Sequence, residues 1–178
     1  MNIIDVGCGP GIYVKALQEA GINAEGVDID PSSPCTKIDI FSQEFRDDYF
    51  GKYDIAFCIE VAEHFPERLA DNLVDVLTNL APMVLFSAAV PGQGGHGHIN
   101  CQHKPYWVSK FAEKNYVVDA VATEKLLAFM RSGCHMGWFI QNAVVFRQYG
   151  ATCYDRIIAE ETPQAIRLAE FVAKQGLA

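Results

Sequence analysis

The chain has 178 residues, 50% hydrophobic and 20% charged, with a net charge of −8. That length suits one domain with a substantial buried core. The acidic balance, with no run of Lys and Arg, argues against a nucleic-acid partner, whose phosphates demand clustered cations.

Six cysteines stand at 8, 35, 58, 101, 134 and 153 without any C-x-x-C pair. They read as reduced thiols of a cytoplasmic protein, not as a disulfide or zinc framework. The first strand begins at once after Met1, so no signal peptide is expected. No apolar run approaches the ~20 residues that cross a bilayer, so no membrane partner is expected.

Ile3, Ile4 and Val6 form a short apolar run around Asp5, the pattern of a buried strand. Gly7, Gly9 and Gly11 follow at alternate positions. They predict a tight turn where a ligand can approach bare backbone. Residues 12–20 are helical in pattern and stop at Gly21. Residues 24–28 make a second strand ending in Asp28. A carboxylate there, about 20 residues past the turn, is placed to accept hydrogen bonds from ribose hydroxyls, with Asp30 as the fallback.

Pro31 and Pro34 mark a turn, and residues 36–40 predict a third strand. The acidic, aromatic stretch 41–51 is expected to cover a bound ring or pack beneath it. Residues 53–59 are the fourth strand, ending at Glu60. Glu60, Glu63 and His64 are spaced to share one face if a helical turn begins there. Pro66 opens a predicted helix over 67–80, and residues 83–88 form a continuously apolar fifth strand.

The segment 90–104, VPGQGGHGHINCQHK, concentrates four glycines, three histidines and a cysteine just past that strand. Substrate loops occupy this place in open α/β sheets. Gly92, Gly94, Gly95 and Gly97 predict a mobile lid, carrying His98 and completed by Tyr106 and Trp107. A helix over 105–115, a strand over 116–121, a helix over 123–131, a strand over 138–146 and a helix over 160–174 complete the order. The alternation predicts an α/β fold, a doubly wound, mostly parallel sheet with helices on both faces.

A dinucleotide fingerprint needs its third glycine at position 12, which is Ile12. The pattern D-x-G-C-G-x-G, carried by Asp5, Gly7, Cys8, Gly9 and Gly11, instead resembles motif I of the class I S-adenosylmethionine (SAM) dependent methyltransferases. The run YDIAFCIEVAEHF resembles motif IV of that family. GGHGHINCQHKPYW followed by WFIQNAVVF is similar to small bacterial and phage methyltransferases of unassigned substrate.

The resemblance implies a Rossmann-like, seven-stranded sheet with an antiparallel seventh strand between the fifth and sixth. It implies one methyltransferase domain over 1–178, without the helices that usually precede the first strand and therefore with a more open site. SAM is the implied cofactor. Asp5, Gly7, Cys8, Gly9, Gly11, Asp28 and Glu60 are implied contacts, with Asp39 facing the adenine amino group and the Ile40 backbone reaching the ring.

SAM brings its own electrophile, so the protein must align an acceptor and remove a proton if that acceptor is a hydroxyl. His98, then His64, are the expected bases, because imidazole titrates near ~6.5. The expected reaction is O-methylation of a small molecule or sugar hydroxyl. A divalent metal on Glu60, Glu63, His64 and His98 is conceivable but not favoured. A zinc site from His96, His98, Cys101 and His103 is favoured less, since ligands packed so closely in sequence rarely close a tetrahedron. The alternative of another class is a noncatalytic SAM- or nucleoside-binding module that supports a partner enzyme.

Overall fold

The structure, a computed structural model, describes residues 1–30, 32–133 and 137–150. The helix predicted over 160–174 lies outside the described residues. The elements in chain order are β1 (Asn2–Val6), α1 (Ile12–Glu19), β2 (Asn23–Asp28), β3 (Thr36–Lys37), α2 (Gln43–Tyr49), β4 (Ile55–Ile59), α3 (Ala70–Leu80), β5 (Met83–Ser87), α4 (Lys104–Glu113), β6 (Tyr116–Val118), α5 (Ala120–Gly133), α6 (Gly137–Asn142) and β7 (Val144–Gln148).

One seven-stranded sheet runs in the order β3-β2-β1-β4-β5-β7-β6. The pairings from β3 to β5 are parallel, and β7 lies antiparallel to both β5 and β6. This is the predicted sheet, including the reversed strand between the fifth and sixth. Side chains alternate across the pleat, so each strand feeds two cores. Ile4, Val6, Ala56, Cys58, Val84 and Phe86 pack against α2, α3 and α4 on one face. Ile3, Ala24 and Phe57 pack with Val14 and Leu17 of α1 on the other. Leu127 and Met130 of α5 and Phe139 of α6 extend that second face over Ile59 and Leu85. Among the described residues no helix is long and apolar enough to cross a membrane.

Several boundaries differ from the sequence reading for identifiable reasons. The third strand stops at Lys37, because Asp39 starts a turn: its Oδ1 accepts the Phe41 N–H at 2.9 Å and its carbonyl accepts the Ser42 N–H at 3.0 Å. Ser42 then caps α2 by accepting the Phe45 N–H at 3.1 Å. The sixth strand ends at Val118, because Asp119 accepts the Ala122 N–H and opens α5. Glu67–Leu69 is a separate 3-10 turn ahead of α3. The stretch 138–142, opened by three apolar residues, is helical instead of extended. Phe139 and Asn142 turn inward while Trp138 stays exposed, a spacing of three rather than two.

Candidate active site

The turn after β1 is built on left-handed glycines, with φ of 74° at Gly7, 50° at Gly9 and 72° at Gly11. Its backbone is tied to β2. The Gly7 and Cys8 N–H groups donate to the Val27 carbonyl at 2.8 and 3.2 Å, and the Gly9 N–H donates to Asp28 Oδ2 at 2.8 Å. The other Asp28 oxygen accepts the Asp30 N–H at 2.8 Å. So Asp28 organises the turn as well as standing at its mouth, and Asp30 supports it. Asp39 is exposed at the loop after β3, and the Ile40 side chain is buried in the main core.

Asp5 is 2% exposed, and its Oδ2 has no hydrogen-bond partner. Burial, then the charge of Asp28, pushes its carboxyl up to about 7. A buried carboxylate without a donor is costly, so the site favours the neutral acid at the end of β1.

Glu60 ends β4 with a left-handed φ of 54°, a conformation that costs energy for a residue with a side chain. Its N–H donates to the Ser87 carbonyl at 3.0 Å. Its carboxylate accepts Gln93 Nε2 at 3.0 Å and Asn142 Nδ2 at 3.3 Å, and Asn142 also donates to Gln93 Oε1 at 2.8 Å. Gln93 and Asn142 escaped the sequence reading. Gln93 carries no motif of its own in a loop rich in Gly and His, and Asn142 lies in a stretch whose pattern fits a strand.

The single helical face expected for Glu60, Glu63 and His64 is not formed. Only Ala62–His64 makes a 3-10 turn, and it begins after the left-handed bend at Glu60. Glu63 is fully buried, and neither carboxylate oxygen makes a well-formed hydrogen bond. Burial, opposed by backbone N–H groups and reinforced by the Glu60 charge, pushes it up to about 7. His98 Nε2 lies 3.9 Å from Glu63 Oε1. His64 is exposed, with Nδ1 3.2 Å from the Gly97 carbonyl and its ring edge-on to His98 at 5.1 Å between centroids.

The glycine-rich segment is pinned where the sequence suggested a freely opening lid. The Ile99 and Asn100 N–H groups both donate to the Glu63 carbonyl, at 2.9 and 3.0 Å. Gly95 is glycine because the His98 ring lies on it: a Cβ there would fall 2.2 Å from His98 Cε1. Among the described residues, Glu63, His64 and His98 form the group able to share a cation, with ligand atoms all within 4.8 Å of one another. Glu60, His96, Cys101 and His103 are outside it.

A family model described as a methyltransferase domain matches residues 1–128. The chain belongs to the SAM-dependent methyltransferases. It is 24% identical over 147 residues to a ubiquinone biosynthesis O-methyltransferase of Vibrio parahaemolyticus, covering 75% of this chain and 54% of the relative. It is 26% identical over 153 residues to the enzyme of that name from Erwinia tasmaniensis, covering 77% and 58%. The chain thus spans little more than half the length of these curated relatives.

Solved methyltransferase structures share the fold. A SAM-dependent methyltransferase from Archaeoglobus fulgidus superposes with a TM-score of 0.58 at 13% identity, covering 83% of this chain and 86% of the other. The small RNA methyltransferase HEN1 superposes with a TM-score of 0.58 at 20% identity, covering 84% and 23%. In this methyltransferase, then, the glycine turn and Asp28 lie together past the ends of β1 and β2, and the Glu63–His98 pair lies past the end of β4.

Proposed function

We propose that this methyltransferase domain transfers a methyl group from SAM to a hydroxyl of a small-molecule acceptor, a phenol or a sugar. The observation that carries the reading is His98, an imidazole set against a buried carboxylate beside the cofactor end of the sheet. The names of the curated relatives support oxygen as the acceptor atom.

SAM, when bound, supplies a methyl group already activated on a sulfonium. The chain does the rest. The turn Gly7–Gly11 and Cys8 offer backbone for close approach, and Asp28 offers carboxylate lone pairs to the ribose hydroxyls. Asp39 and the Ile40 backbone would meet the adenine. Asp5 would meet positive charge, which would complete its unpartnered oxygen. Glu60, held by Gln93 and Asn142, fixes the floor between the two halves of the site.

His98 takes the acceptor proton. Its Nδ1 is buried without a partner, and its Nε2 faces Glu63, whose ionised form stabilises the imidazolium. Because Nδ1 is buried and Gly95 lies against the ring, proton uptake requires a small local shift of the glycine segment. His64 is the second base candidate, with Nδ1 held by Gly97 and Nε2 left to act.

A second reading is favoured by the same cluster. Glu63, His64 and His98 are one carboxylate and two imidazoles within reach of a common point, and neither carboxylate oxygen makes a well-formed hydrogen bond. That donor set fits a divalent cation, which would polarise the acceptor oxygen. The test is incubation with methyl-labelled SAM and a panel of phenols and sugars, before and after dialysis against a chelator. Labelled O-methyl product supports the transferase, and SAM binding without turnover supports the noncatalytic module. Turnover lost on chelation and restored by a divalent ion selects the cation reading.

A further inference from the structure

Two cysteines meet behind the glycine turn. Cys8 lies within the turn and is 6% exposed, and Cys35 immediately precedes β3 and is half-buried. Backbone pairing brings them together. The Cys8 N–H donates to the Val27 carbonyl at 3.2 Å, and Val27 pairs with Thr36, the residue after Cys35. Between their side chains stands Gly26. A Cβ on Gly26 would lie 2.7 Å from the Cys8 sulfur and 2.8 Å from the Cys35 sulfur, so the two thiols share the space that a side chain there would fill.

The two sulfurs are unequal. Burial, followed by the hydrogen bond to Cys35, pushes the Cys8 thiol up to about 12, so Cys8 is a poor thiolate. Cys35 lines a cleft of about 920 Å³ together with Pro10, Gly11, Gly26 and Pro34, so a small reagent reaches it first. Ser33 links the pair: its hydroxyl lies 3.6 Å from the Cys8 sulfur and accepts the Cys35 N–H at 3.2 Å.

We propose that Cys8 and Cys35 are a site of reversible disulfide formation that distorts the cofactor turn when oxidised by a peroxide. Cys35 thiolate attacks one peroxide oxygen, the O–O bond breaks, and a sulfenic acid and hydroxide form. The Cys8 sulfur then attacks the Cys35 sulfur. The S–S bond forms, the S–O bond breaks, and the thiol proton leaves with the departing oxygen as water. Two thiols are oxidised by two electrons and the peroxide is reduced to water.

A disulfide has fixed bond length and torsion, so closing it draws Cys8 toward Cys35. Cys8 sits between Gly7 and Gly9, and the Gly9 N–H holds Asp28. Movement of Cys8 therefore disturbs the hydrogen bond that sets Asp28 at the turn. The effect on SAM rests on the functional reading above, whereas the disulfide does not.

The experiment treats the reduced full chain with hydrogen peroxide, maps linked peptides by mass spectrometry and measures SAM binding by calorimetry. The expected result is a Cys8–Cys35 linked peptide, SAM affinity lowered by about tenfold or more, as for one disturbed charged hydrogen bond, and recovery of both with dithiothreitol. Cys35→Ser should give no linked peptide and keep its affinity through oxidation. Both cysteines remaining alkylatable under peroxide would overturn the site. A linked peptide with unchanged SAM affinity would overturn the coupling to the turn. Reduced protein that binds no SAM would fail the functional reading instead, with the linked peptide still standing for the thiol site.

Discussion

His98 Nε2 faces a fully buried Glu63 carboxylate at 3.9 Å, and the same glutamate accepts the next two backbone N–H groups, Ile99 and Asn100, at its carbonyl. Glu63 alone, four residues past β4, thus meets both a side chain and the backbone of the loop that follows β5. His98→Ala should lower turnover by about 10²–10⁴, the range for losing a general base, while SAM affinity stays nearly unchanged. Steady-state kinetics paired with calorimetry reads both. Full turnover in the variant would reduce the loop to packing.

Gly95→Ala tests the same imidazole without touching it. The added methyl would fall 2.2 Å from His98 Cε1, so the ring or the loop must move. Turnover should drop by at least about tenfold, as for a catalytic group displaced by a fraction of its reach, with SAM affinity retained. Wild-type kinetics would show that the ring position is immaterial.

Asp28→Ala should weaken SAM by roughly 2–4 kcal/mol, since hydrogen bonds to charged groups contribute about 1.5–3 kcal/mol each and water replaces part of them. The loss of the Gly9 and Asp30 N–H bonds to Asp28 adds to the loss of ligand contacts. Equal affinity in a folded variant would remove Asp28 from the ribose.

Asp5 sets a pH dependence. Its carboxyl is raised from the usual 3.8 to about 7, first by burial and then by Asp28. The folded chain therefore favours the protonated form. The resulting stability is fully present below about pH 4 and is lost as pH rises through about 7. Asp5→Asn removes that dependence. Urea unfolding should find variant and wild type alike at pH 4, and the variant more stable at pH 8 by on the order of 4 kcal/mol. Parallel stability curves at both pH values would show that Asp5 ionises freely.

Phe111 and Phe146 stack with centroids 3.9 Å apart and planes at 11°, joining α4 to β7. Phe111 is completely buried. Phe111→Ala should cost about 3–5 kcal/mol, from lost burial and an unfilled cavity. Chemical denaturation measures it, and a loss well under ~1 kcal/mol would mean that the site collapses around the smaller side chain.

The parallel half of the fold was legible because its signals are local. Ile3, Ile4 and Val6 alternate across a pleat, and the glycines of the turn need φ values that few other residues adopt. Stretches with one buried side chain were harder. In α2 only Phe45 is buried, so the helix shows no apolar stripe and rests on the Ser42 cap. At 138–142 three consecutive apolar residues fit a strand as well as a helix, and only the inward Asn142 decides. The site was legible as residue types but not as groupings. The left-handed bend at Glu60 sends its carboxylate to Gln93 and Asn142, contacts set by chain geometry rather than by spacing in sequence.

The position of β7 has a consequence for how the chain reaches this state. The five strands from β3 to β5 can pair from residues up to Ser87, but β6 adjoins β7 alone in the sheet order, and β7 comes later. A nascent chain that has not yet produced Val144–Gln148 carries an open β5 edge and an orphan β6. An open edge is a template for pairing with another chain. Closure by a distant strand is also slower than local pairing. The interval between synthesis of β5 and arrival of β7 is therefore the window in which a chaperone would matter most.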